Sequence, residues 1–142
     1  MNFKNMLDEF EERYPWLAKH GIEYWEEIND NLLLVTLGDG RSYVYNNSKK
    51  VKNAKLVKLF DNPDDLTDDE WMRGFSYNLR HELKENGIHQ YEFAEQIGVG
   101  RNMMNLYCTG KSIPSSRIFD KMTRVLKCDA SDLVPHDYVF LE

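Results

Sequence analysis

Apolar residues keep helical spacing near the start of the chain and again in its second half, and they alternate in between. Phe3, Leu7, Phe10 and Tyr14 fall one turn apart with Asp8, Glu9, Glu11 and Glu12 opposite, so a first helix is expected from about Asn2 to Arg13. Pro15 interrupts it, and a short helical piece with Trp16 and Leu17 should follow. From Ile22 the period changes. Ile22, Tyr24 and Ile28 are expected on one strand face, Asn29-Asp30-Asn31 is a turn signal, and Leu32 to Leu37 reads as a buried strand. Gly38-Asp39-Gly40 supplies the positive-φ residues of a tight hairpin turn, and Arg41 to Tyr45 reads as a third strand. The pattern therefore predicts a small antiparallel meander behind an N-terminal helix.

A polar stretch follows. Lys49, Lys50, Lys52, Lys55 and Lys58 precede an acidic run of Asp61, Asp64, Asp65, Asp68, Asp69 and Glu70, and the stretch reads as a solvated linker. The end of the acidic run has a more definite role. Thr67-Asp68-Asp69-Glu70 fits a capping box, in which the threonine hydroxyl accepts from a first-turn amide and Glu70 reaches back. The helix starting there carries Trp71, Phe75, Leu79 and Leu83 in steps of four and stops at Asn86-Gly87, where glycine tolerates the left-handed conformation.

That apolar stripe needs partners, and two short helices follow it, Gln90 to Ile97 and Arg101 to Cys108, joined by Gly98-Val99-Gly100. Their residue types suit two helices crossing at close range. Ala94 is small where the second helix would pass over it, Gly98 stands where the chain must leave the first helix with positive φ, and Ile97, Val99, Met104 and Tyr107 would wedge the pair at a fixed angle.

In this register, followed by Thr109-Gly110-Lys111-Ser112-Ile113-Pro114-Ser115 and by a helix containing Ile118, Met122, Val125 and Leu126, the segment resembles the phage repressor/Cro helix-turn-helix family over about Met72 to Val134. The resemblance implies a five-helix layout, with Asp129-Ala130-Ser131-Asp132-Leu133 opening the last short helix. It also implies binding to double-stranded DNA, with the second motif helix in the major groove. Arg101, Asn102 and Asn105 would then face base edges, where arginine can bond guanine through two donors and asparagine can pair with adenine. Met103 would pack on a thymine methyl or meet a protein partner. Gln90 matches a position that contacts phosphate and braces the reading helix, and Lys111, Ser112, Ser115 and Arg117 are the further phosphate contacts expected. Gly100 departs from the family, which often has Ser or Thr there as a cap with a side-chain acceptor. Leu106 stands where many relatives are polar.

Charge complicates the picture. The chain is 142 residues long with a net charge of −6, which is unusual for a phosphate-binding protein. Yet residues 1–71 hold nine basic and fifteen acidic groups, residues 72–142 nine of each, and no Asp or Glu occurs from Gln96 to Phe119. A local basic face can bind DNA although the whole chain is acidic.

Catalytic chemistry finds little to work with: His20, His81, His89 and His136 are scattered, with no metal-ligand spacing, nucleophile elbow or phosphate-binding glycine loop. The expectation is no enzyme, no metal and no cofactor, with His89 at the surface or on a phosphate. Cys108 and Cys128 lack paired spacing and read as buried or half-buried thiols in a reducing compartment. No apolar run is long enough for a bilayer, and Met1-Asn2-Phe3-Lys4 does not open a signal peptide, so a cytoplasmic protein without membrane contact is expected.

The fold expected is thus α+β, with a helix and β-meander domain over residues 1–48, a charged linker over 49–67, and an all-α five-helix helix-turn-helix domain with a short tail over 68–142. Two functions compete. One is a sequence-specific transcriptional regulator of phage or mobile-element type, dimeric by the symmetry of palindromic sites, with the last helix and the tail Pro135 to Glu142, or else the meander, as interface. The other is a protein-binding inhibitor or adaptor on the same scaffold, whose acidic N-terminal half meets a protein partner through Trp25, Tyr43 and Tyr45 if these are exposed.

Overall fold

A computed structural model of the chain describes residues 5–50 and 55–141. Phe3 and Lys52, together with the expected helix start at Asn2, lie outside the described residues. The chain divides into two compact units, one of residues 1–60 and 140–142, the other of residues 61–139.

The first unit begins with α1 (Met6–Arg13), which Asn5 caps by accepting from Asp8 N at 2.9 Å. Pro15 then opens α2 (Pro15–Ala18), where a first-turn residue needs no amide. Strands β1 (Ile22–Glu27), β2 (Leu32–Leu37), β3 (Ser42–Asn46), β4 (Leu56–Leu59) and β5 (Tyr138–Phe140), of which only Phe140 belongs to this unit, form one sheet in that order, with β1 to β4 paired antiparallel. Alternation places Leu33, Val35, Leu37, Tyr43, Tyr45 and Leu56 in a core with Met6, Phe10, Tyr14 and Leu17 from the two helices. The Tyr45 hydroxyl donates to Glu9 Oε1 at 2.6 Å, and burial followed by that bond pushes its pKa well above the ordinary tyrosine range.

Several features of this unit depart from the sequence expectation. Ile22 pairs with Leu37 but Tyr24 with Thr36, so a bulge at Glu23 sends Ile22 and Tyr24 to opposite faces instead of one. Only Gly40 of the hairpin turn has positive φ (91°); Gly38 answers a different constraint, since a Cβ there would lie a tight 3.1 Å from the His20 carbonyl oxygen. Strand β4 lies within the stretch read as linker, and β5 within the stretch read as a tail; Leu141 N donates to Leu56 O at 2.7 Å. Tyr43 and Tyr45 are each 1% exposed and belong to the core, so of the three aromatic anchors only Trp25, at 45%, is open to a partner.

In the second unit a 3-10 turn (Pro63–Asp65) leads to α3 (Asp68–Glu85). The capping box is present: Glu70 N donates to Thr67 Oγ1 at 3.2 Å and Thr67 N to Glu70 Oε1 at 2.9 Å. Then come α4 (Gln90–Ile97), α5 (Arg101–Cys108), α6 (Ser116–Leu126) and α7 (Ala130–Leu133). Phe75, Leu79 and Leu83 of α3 share a core with Phe93, Ala94 and Ile97, with Met104, Tyr107 and Cys108, and with Met122, Leu126 and Leu133. Trp71, Val99, Ile118 and Val125 pack half-buried around it. Cys108 is buried and Cys128 half-buried, both as free thiols. Among the described residues no helix is long and apolar enough to cross a membrane.

Candidate nucleic-acid interface

The placement of α5 follows from three backbone requirements. Gly98 ends α4 in the left-handed conformation (φ 74°), and Val99 N turns back to donate to Ala94 O at 3.0 Å. Gly100 caps α5 through its backbone alone, accepting from Met104 N at 3.0 Å, with no side-chain acceptor. Beyond α5, Gly110 (φ 73°) lets the chain run against α3, where a Cβ would meet Ser76 Oγ at 3.3 Å and Met72 O at 3.4 Å. The helix is therefore held at both ends by glycines while Met104, Tyr107 and Cys108 hold its inner face in the core.

Its outer face is thereby fixed. Arg101, Asn102, Met103 and Asn105 are all exposed, and Leu106 is half-buried beside them. Gln90, the first residue of α4, is exposed, as are Lys111, Ser115 and Arg117; Ser112 is half-buried. Ser115 is already engaged as the cap of α6, its Oγ accepting from Ile118 N at 3.2 Å, which leaves the hydroxyl proton free for an anion. His89 caps α4 by position, is exposed, and donates its amide to Glu92 Oε1 at 3.3 Å.

One residue on this surface escapes the sequence pattern. Tyr91 is 53% exposed on the outer face of α4, its ring stacked on His89 and contacted by the Arg101 guanidinium. A large aromatic outside the apolar periodicity of Phe93, Ala94 and Ile97 is the signal that could have singled it out. Ile113, exposed in the loop after α5, is a second such case.

The surface is chemically equipped for a polyanion. Three cations, Arg101, Lys111 and Arg117, are exposed in a segment without carboxylates, whereas on α6 Arg124 is neutralised by Asp120 at 2.8 Å. The burial of Cys108 raises its thiol pKa to about 11, so it supplies no nucleophile at neutral pH. Among the described residues no group of three or more His, Cys, Asp or Glu could hold a metal ion.

Residues 79–133 match the model of a family described as Helix-turn-helix, HTH_3. Among solved structures, the chain is similar to the SOS-response transcriptional repressor LexA from Eubacterium rectale, at 27% identity over 49% of this chain and 74% of that one, with a TM-score of 0.46. It is also similar to the restriction-modification controller protein C.AhdI from Aeromonas hydrophila, at 21% identity over 44% of this chain and 94% of that one, with a TM-score of 0.42. A hypothetical transcription factor, NHTF, from Neisseria is similar at 22% identity over 55% of this chain and 90% of that one, with a TM-score of 0.44. No curated protein matches the chain.

Proposed function

With residues 79–133 forming a domain of the helix-turn-helix family, we propose that the protein is a sequence-specific DNA-binding transcriptional regulator that reads the major groove with α5. The observation that carries the proposal is the division of α5 between a buried inner face and an outer face presenting Arg101, Asn102, Met103 and Asn105 together. Arg101 bonds guanine, Asn102 and Asn105 serve adenine, and Met103 covers a thymine methyl. Gln90, Lys111, Ser112, Ser115 and Arg117 take phosphates and set the register, which in itself carries no sequence information. One eight-residue helix reaches few base pairs, so binding as a homodimer to two half-sites about one helical turn apart completes the reading. Such a dimer on an operator represses by occupancy. The resemblance of Asn86 to Val99 and of Leu106 to Ser115 to phage repressors supports a regulator of phage or mobile-element type.

The rival reading, a protein-binding adaptor, loses two of its three proposed anchors because Tyr43 and Tyr45 are buried. Selection of sites from random duplex DNA at moderate salt separates the two. The regulator yields an enriched motif, two-fold symmetric for a dimer, which the folded Arg101→Ala/Asn102→Ala variant loses. Absence of enrichment with the native protein would refute the proposal.

A further inference from the structure

The ring of Tyr91 joins His89, at the cap of α4, to Arg101, the first residue of α5. The guanidinium carbon of Arg101 lies 5.7 Å from the ring centroid. The imidazole of His89 lies 5.6 Å from it, with the two ring planes 7° apart. One turn of α4 thus makes a short chain of support: Glu92 Oε1 accepts from the His89 amide, His89 stacks on Tyr91, and Tyr91 carries the cation that opens α5. Phe93, Ala94 and Ile97 of the same helix enter the core, while Tyr91 remains 53% exposed. Its ring is therefore not explained by the packing of the unit.

A guanidinium beside an aromatic ring is attracted by the negative face of the π-system. That attraction acts on the charge and leaves the fork of N–H donors for another partner. An arginine on an exposed helix start would otherwise sample many rotamers and lose them on meeting a base. Restricting it in the free protein removes part of that entropy loss.

We infer that Tyr91 is a positioning residue for Arg101, holding the guanidinium against its ring on α4 so that it meets a guanine edge already oriented. The inference rests on the reading of α5 as the base-reading helix. Tyr91 itself reads no base. Its effect is on the discrimination Arg101 exercises, not on the attraction to phosphate.

The test compares Tyr91→Phe, which keeps the ring, with Tyr91→Leu, which removes it, in the full chain. In the free protein the Arg101 side-chain NH resonance carries the ring-current shift; Tyr91→Phe preserves it and Tyr91→Leu abolishes it. On the duplex recovered by selection, Tyr91→Leu weakens binding about threefold, the size of an exposed cation–π contact. It also lowers, by a similar factor, the preference for G·C at the pair Arg101 reads, while leaving the salt dependence unchanged. In an Arg101→Ala background, Tyr91→Leu has no further effect. Undiminished discrimination by Tyr91→Leu, when Arg101→Ala loses it, overturns the positioning role. So does an equal loss of affinity in both backgrounds, which would assign Tyr91 its own contact. If Arg101→Ala itself binds and discriminates as the native protein does, the reading of α5 fails first, and the role of Tyr91 falls with it.

Discussion

Gly74, within an eighteen-residue helix, lies so close to Pro135 that a Cβ on it would stand 2.8 Å from the proline Cβ. It would stand equally close to Val139 Cγ1. Glycine inside a helix costs about 1 kcal/mol relative to alanine, so its presence here reflects the close approach of residues 135–139 to α3. Gly74→Ala therefore destabilises the protein by about 1–3 kcal/mol, as overpacking outweighs the gain in helix propensity. Urea denaturation gives the answer, and an increase in stability would contradict the account.

Lys127 makes the opposite case. It ends α6 in the left-handed conformation, with φ 53° and ψ 44°, and Cys128 N beyond it donates to Thr123 O at 3.1 Å. An L-residue is strained there by about 1–2 kcal/mol, partly offset in a Gly variant by the greater freedom of the unfolded chain. Lys127→Gly should raise stability by roughly 0.5–1 kcal/mol, visible as a higher urea midpoint with an unchanged slope.

The two thiols should part company. Burial lifts Cys108 to about 11; burial with Glu82, Asp132 and Asp129 nearby lifts Cys128, which is only half-buried. Alkylation of the native protein at neutral pH labels Cys128 first and Cys108 only on unfolding. Because the folded Cys108 pKa exceeds the unfolded value of 9.0, its contribution to stability is complete below pH 9 and is lost as pH rises toward 11. A stability profile flat through that window would disprove the shift.

On DNA, the two kinds of cation should behave differently. Arg101→Ala costs about 1–3 kcal/mol on the selected site and relaxes preference at one pair. Lys111→Ala weakens all sequences alike and reduces the slope of log K against log salt by about 1. Fluorescence anisotropy across a salt series distinguishes them.

How far the sequence could be read depends on where each element finds its partners. The motif helices were legible to the residue, because Ala94, Gly98 and the wedge at Ile97, Val99, Met104 and Tyr107 each answer a local requirement and agree in register. Thr67 and Glu70 likewise settle the start of α3 within four residues. The sheet was less legible. Strand β5 is three residues long and sits beside β4, far earlier in the chain, so nothing local announces it. In β4, Lys58 occupies a buried position and breaks the alternation by which a strand is recognised. At Glu23 a single extra residue reverses the faces on either side of it, a feature that depends on pairing with β2. On the outer face of α5 the exposed residues were visible from the motif, whereas the contact of Tyr91 with Arg101 depends on the angle between two helices.

Among the described residues, strand β1 is an edge of the sheet, with β2 as its one neighbour, and it is exposed along nearly all its length. Such an edge is a template for aggregation, since its outward amides and carbonyls can recruit another strand. Here Glu23, Glu26 and Glu27 stand along it, and the bulge at Glu23 bends it out of flatness. A second copy approaching edge to edge would bring carboxylates against carboxylates on a mismatched curve. The flank of the sheet is left open, but it is guarded against growth into a ribbon.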